Sequence, residues 1–115
     1  MSVTIYHNPR CSKSRQTLAL LEEQGITPTV IEYLKTPPNP QQMKNILRLL
    51  GMTPKEIMRK KEAEYAEHSL DNPDFSDDEL IAAMCAHPVL IERPIVLANG
   101  KAAIGRPPEQ VLEIL

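Results

Sequence analysis

The chain has 115 residues, a size that fits one compact domain and leaves no room for two independent ones. Hydrophobic residues make up 42% and charged residues 24%, an ordinary globular balance, and no apolar run approaches the ~18 residues of a membrane span. Thirteen Lys plus Arg against fifteen Asp plus Glu leave a net charge of -2, so no global field draws nucleic acid or an anionic membrane. With no signal-peptide start, a cytoplasmic protein is expected, and any anion site must be local.

The first predicted element is a strand from Val3 to Tyr6, a β-branched and aromatic run that stops at His7-Asn8-Pro9. A helix from about Ser12 to Gln24 follows, with Leu18, Ala19, Leu20 and Leu21 as its apolar stripe and Gly25 at its C-terminal end. Thr29 to Leu34 predicts a second strand, parallel to the first across a right-handed helical crossover. The break Thr36-Pro37-Pro38-Asn39-Pro40 closes this β-α-β unit.

The middle of the chain predicts helices. Met43, Ile46, Leu47 and Leu50 fall at amphipathic spacing between Gln41 and Gly51. Thr53-Pro54-Lys55-Glu56 and Ser76-Asp77-Asp78-Glu79 are capping boxes, in which a hydroxyl and a carboxylate satisfy first-turn N–H groups reciprocally, and the second precedes a helix over Leu80 to Ala86. Glu62 to Glu79 is acidic with few apolar residues, which predicts a solvated surface. Ile95 to Ala98 and Lys101 to Ile104 are then two strands joined by Asn99-Gly100, the favoured pair for a type I′ hairpin, and Pro107-Pro108 opens a last helix through Leu115. The order β-α-β, helices, β-β-α is the connectivity of an α/β thioredoxin-like fold. It predicts one domain, residues 1–115, with a four-stranded mixed sheet, flanking helices and a helical insertion at about 40–87.

Chemistry concentrates where the first strand hands over to the first helix, in His7-Asn8-Pro9-Arg10-Cys11-Ser12-Lys13-Ser14-Arg15. First-turn N–H groups lack internal partners and, with the helix dipole, favour negative charge beside them. A thiolate is such a charge. Helix N-termini and neighbouring cations depress cysteine pKa values, so Arg10, Lys13, Arg15 and His7 are candidate tuners, and Cys11 is the predicted nucleophile. The other cysteine, Cys85, sits in Ile81-Ala82-Ala83-Met84-Cys85-Ala86 and predicts helix packing. Two cysteines and the scattered His7, His68 and His87 provide neither a disulfide scaffold nor a tetrahedral zinc set.

Two cysteine motifs fail against this loop. A phosphatase-type loop needs Arg six positions after the cysteine, where Thr17 stands. A thioredoxin-type Cys-x-x-Cys needs a second thiol where the chain has Ser14. Any adduct on Cys11 is therefore expected to be released by a thiol of another molecule, such as glutathione.

His7-Asn8-Pro9-x-Cys11-x-x-Ser14-Arg15, Thr36-Pro37-Pro38, His87-Pro88, Glu92-Arg93-Pro94-Ile95-Val96 and Gly105-Arg106-Pro107 together resemble the glutaredoxin-coupled arsenate reductase family over nearly the whole chain. The resemblance implies a cysteine that attacks arsenate, glutathione as co-substrate displacing an oxygen leaving group, and glutaredoxin as the partner that resolves the adduct with release of arsenite. No bound cofactor is implied. Cys11 inherits the nucleophile role, Arg59, Arg93 and Arg106 correspond to the arginines that bind the oxyanion, His7 and Ser14 match positions that tune or hydrogen-bond the thiolate, and Asn8 braces the loop. Pro94 matches the cis proline that thioredoxin-like folds keep beside the reactive cysteine. Because the chain stops at Leu115, and Arg10, Ser12 and Lys13 replace smaller loop residues, it resembles a shorter branch of the family. Two other readings carry distinct expectations: a glutathione-dependent disulfide reductase would not require Arg59, and an Spx-type regulator would bind RNA polymerase but commonly carries the Cys-x-x-Cys switch and a basic tail that this sequence lacks.

Overall fold

The computed structural model describes residues 2–115. In chain order the elements are β1 (Val3–His7), α1 (Ser12–Glu23), β2 (Thr29–Glu32), α2 (Pro40–Leu50), α3 (Pro54–Ile57), α4 (Ala63–Glu67), α5 (Asp77–Ala86), a 3-10 turn (Pro88–Leu90), β3 (Ile95–Ala98), β4 (Lys101–Ile104) and a C-terminal 3-10 helix (Pro108–Ile114). The contacts group these elements into two compact units, residues 1–36 with 93–115, and residues 37–92.

The first unit holds a four-stranded mixed sheet in the order β2-β1-β3-β4. β1 pairs parallel with β2, from Thr4 opposite Thr29 to His7 opposite Glu32, and antiparallel with β3, from Val3 opposite Ala98 to Tyr6 opposite Ile95. β4 completes the sheet as the second arm of a hairpin whose turn residues Asn99 and Gly100 have φ of 54° and 70°, both positive as a type I′ turn requires. Val3, Ile5, Val96 and Ala98 from the strands, Leu21 from α1, and Val111 and Ile114 from the C-terminal helix form the buried core of this unit. Burying an aliphatic side chain fully stabilises by about 1.5–3 kcal/mol, so this cluster fixes α1 against the sheet and with it the loop that precedes α1.

Two expectations are corrected here, and a third gains detail. β2 ends at Glu32 and not at Leu34, because β1, the strand it pairs with, ends at His7, and the Glu32 carbonyl then turns the chain by accepting from the N–H groups of Lys35 and Thr36. The last helix is a 3-10 helix: Pro108, Val111 and Ile114 are its buried residues, and their spacing of three places them on one face of a three-residue repeat. The acidic stretch contains the short helix α4, none of whose residues is buried, while Leu70 just after it is buried.

The second unit is helical and contains the stretch expected at about 40–87. Met43, Ile46 and Leu47 of α2 and Leu80, Ile81 and Met84 of α5 are its buried faces. Both foreseen capping boxes form, at Thr53 with Glu56 and at Ser76 with Glu79. A third forms at Asn39 with Gln42, ahead of Pro40 at the first helical position. No helix of the described residues is long and apolar enough to cross a membrane.

Candidate active site

Cys11 is the N-cap residue of α1, with extended backbone at φ -92° and ψ 123°. Its own N–H closes a turn onto the Asn8 carbonyl at 3.0 Å, and its carbonyl accepts from Arg15 N at 3.0 Å. This turn points the cysteine into the space ahead of the helix. Residue exposure at Cys11 is only 8%, but polar donors surround the sulfur. Burial pushes the Cys11 thiol up; the N–H groups of Ser14 and Lys13 and the Arg93 guanidinium outweigh it and hold the thiol below its usual value. Arg106 adds a bond from Nη2 to Sγ at 3.5 Å.

The two arginines are tied to each other. Arg106 Nε donates to the Arg93 carbonyl at 2.7 Å, so the residue that ends the loop before β3 holds the residue that follows β4. Gly105, between β4 and Arg106, packs against α1 more closely than any side chain would allow. A Cβ there would stand 2.8 Å from Pro94 Cγ and closer still to Thr17 Oγ1. That approach brings the strand end and its arginine up to the cysteine. The Arg93-Pro94 bond is cis, as the resemblance implies, and the Arg106-Pro107 bond is cis as well.

His7 and Ser14 meet across the loop turn, and Ser14 also reaches the sulfur. Their side chains bond one another: His7 Nδ1 lies 2.6 Å from Ser14 Oγ, which also accepts from the Asn8 N–H at 2.9 Å. Ser14 acts on the sulfur through its backbone N–H. Burial lowers the His7 pKa, Glu32 opposes this, and Arg15 adds to it, so the neutral form of His7 is favoured. Asn8 braces the loop at both ends, since its carbonyl accepts from Cys11 and its Oδ1 accepts from Arg10 N at 3.0 Å. Arg15 Nη1 donates to the Pro9 carbonyl at 2.9 Å and locks the turn from outside. The basic residues adjacent in sequence therefore shape the loop, and the cations at the sulfur come from positions 93 and 106.

Arg59 lies in the second unit, just after the single bridge between Met58 and Ile91. Its Nη1 meets Glu92 Oε1 at 2.9 Å and its Nε meets Glu62 Oε1 at 3.3 Å. The carboxylate pair around Arg59 escaped sequence reading, and so did the roles of Gly105 and Thr17; Glu92, directly before Arg93, was the only available signal. Cys85 is half-buried, and burial pushes its thiol up, the opposite of Cys11. No cluster of three or more potential metal ligands occurs among the described residues.

A cysteine at the N-cap of the helix that follows β1, with helix N–H groups and two arginines at its sulfur beside a four-stranded mixed sheet, defines a thioredoxin-like α/β protein. The ArsC family signature matches residues 6–114, and the chain belongs to that family. A solved structure of an arsenate reductase from Vibrio cholerae superposes with a TM-score of 0.97 at 59% identity, covering 100% of this chain and 98% of that one. The uncharacterized protein YfgD of Escherichia coli strain K12 is 56% identical over 98% of this chain and 96% of its own length. A protein of Neisseria meningitidis serogroup B named arsenate reductase is 52% identical over 98% of this chain and 97% of its own.

Proposed function

We propose that the protein is a thiol-dependent arsenate reductase in which Cys11 is the nucleophile and glutathione and glutaredoxin supply the electrons. The observation that carries this reading is the surroundings of the Cys11 sulfur: two helix N–H groups and two guanidinium groups converge on one atom. The same donors suit the oxygens of a tetrahedral dianion, because planar guanidinium forks match paired oxygens and the orphan N–H groups of a helix start accept negative charge.

The reaction balances with two external thiols. The Cys11 thiolate attacks arsenic, forms an S–As bond, and an arsenate oxygen leaves as water once protonated. The thiol of glutathione then displaces a second oxygen, also lost as water. A glutaredoxin thiolate attacks the glutathione sulfur, the bond from that sulfur to arsenic breaks, and its electron pair reduces As(V) to As(III). Water hydrolyses the remaining S–As bond, releasing arsenite and restoring the thiolate. The net change is arsenate plus two thiols to arsenite, one disulfide and water. Arg93 and Arg106 serve the first step by holding the thiolate and the incoming oxyanion together. Ser14 in place of a second cysteine supports release of the adduct by an external thiol.

Arsenate-dependent oxidation of glutathione in the presence of glutaredoxin tests the proposal. Turnover that disappears in Cys11→Ser and needs glutaredoxin is the expected result. Absence of turnover with both thiols supplied, or full turnover in Cys11→Ser, would reject it.

A further inference from the structure

We infer that the cleft on the β2 side of the Cys11 loop is the binding subsite for glutathione, with Arg10 and Lys35 taking its two carboxylates and Glu32 its ammonium. This inference rests on the proposed use of glutathione and adds where it sits. The cleft has a volume of about 370 Å³ and is lined by His7, Asn8, Pro9, Arg10, Glu32, Leu34 and Lys35. That volume lies in the range of small-ligand pockets. Asn8, Pro9 and Arg10 belong to the turn that the Cys11 N–H closes, so the cleft is one tight turn from the reactive residue.

The charges match a γ-glutamyl tripeptide. Glutathione with a protonated thiol carries two carboxylates and one ammonium, a net charge of about -1 at neutral pH, since its carboxyl groups titrate at about 3.5 and its amine above 7. The cleft carries two cations and one carboxylate, with the neutral form of His7 favoured. Glu32 Oε1 and Lys35 Nζ stand 3.7 Å apart and present opposite charges side by side, as the amino and carboxyl groups of a γ-glutamyl end do. Arg10 has its main chain fixed by Asn8, and its guanidinium has no carboxylate partner among the described residues. Leu34, 45% exposed, offers an apolar wall to the methylene chain. An oxyanion as small as arsenate needs none of these groups, because its donors are at the sulfur.

Two measurements test the subsite. The first follows S-methylglutathione, which cannot react, by amide NMR shifts in the wild-type protein, and shifts centred on residues 8–10 and 32–35 are expected. The second compares steady-state kinetics of Arg10→Gln, Lys35→Gln and the double variant, with the exposed Lys101→Gln as a control. KM for glutathione is expected to rise about fivefold in each single variant and about twentyfold in the double, with KM for arsenate unchanged. Unchanged KM for glutathione, an equal rise in KM for arsenate, an equal effect from Lys101→Gln, or shifts confined to other surfaces would overturn the subsite. If wild-type protein shows those shifts but no arsenate turnover, the reductase proposal fails and the subsite stands. Turnover without any effect of the variants has the opposite meaning.

Discussion

Gly105→Ala tests the contact that brings Arg106 to Cys11. Gly105 is absent from the positive-φ residues, so alanine can adopt its backbone conformation. By itself that would stabilise the protein by about 0.4–1 kcal/mol through a stiffer unfolded chain. The added methyl has no room, however: it would stand 2.8 Å from Pro94 Cγ, 3.1 Å from Thr17 Cγ2, and closer to Thr17 Oγ1. Thr17 is fully buried and its hydroxyl donates to the Lys13 carbonyl at 2.8 Å, so it has little freedom to retreat. Overpacking costs about 1–3 kcal/mol, and contacts this short against a pinned Thr17 belong to the upper part of that range, so about 1–2 kcal/mol of net destabilisation remains after the entropic gain. At about 4 °C per kcal/mol for a domain near this size, the thermal midpoint should fall by about 4–8 °C. Thermal unfolding checks the stability, and the pH profile of Cys11 alkylation checks the site, since β4 pushed from α1 carries Arg106 from the sulfur. Thr17→Ala in the same background removes two of the three obstructing atoms and should restore part of the loss. An unchanged or raised midpoint in Gly105→Ala would refute the close-packing argument.

Two further predictions concern the loop. Ser14→Ala leaves the buried Nδ1 of His7 and the Asn8 N–H without their shared partner, and the variant should lose about 2 kcal/mol, visible as a lower urea midpoint at unchanged slope. The Cys11 thiol is held below its usual value of 9.0, so its ionised form is favoured in the folded state. The resulting stability is fully present above that usual value and is lost as pH falls through the lower folded value. Wild-type protein should therefore gain stability over Cys11→Ala as pH rises across that window, and Arg93→Gln should narrow the window from below and move the alkylation profile to higher pH. A stability difference independent of pH would contradict an ionised Cys11.

Local signals were legible wherever the interaction is itself local. Thr53-Pro54-Lys55-Glu56 and Ser76-Asp77-Asp78-Glu79 form the boxes their spacing predicts, and Asn99-Gly100 makes the expected turn. The Asn39 box was hidden in a run of prolines that reads as loop, and Gln42 in place of a carboxylate weakened its signature. The length of β2 could not be read from its apolar run, because a strand ends where its partner does. Nor does a stretch of seven residues opening on proline announce whether its repeat is three or 3.6; the sheet it packs against selects the three-residue spacing of Pro108, Val111 and Ile114.

The sequence by itself determined that a cysteine would stand at the start of a helix, and it singled out the arginines before Pro94 and Pro107. It also pointed to nearby basic side chains as the charges at the sulfur, and only the tertiary structure decided which cations reach that atom. Arg15 is spent on the Pro9 carbonyl, His7 is buried with its neutral form favoured, and Lys13 reaches the sulfur through its N–H. The guanidinium groups that do so are Arg93 and Arg106, the latter 95 positions from Cys11 in the chain. Sheet pairing of β1 with β3, the β3-β4 hairpin and the missing side chain at Gly105 bring them there, and a contact made by packing across that separation leaves no trace in local spacing.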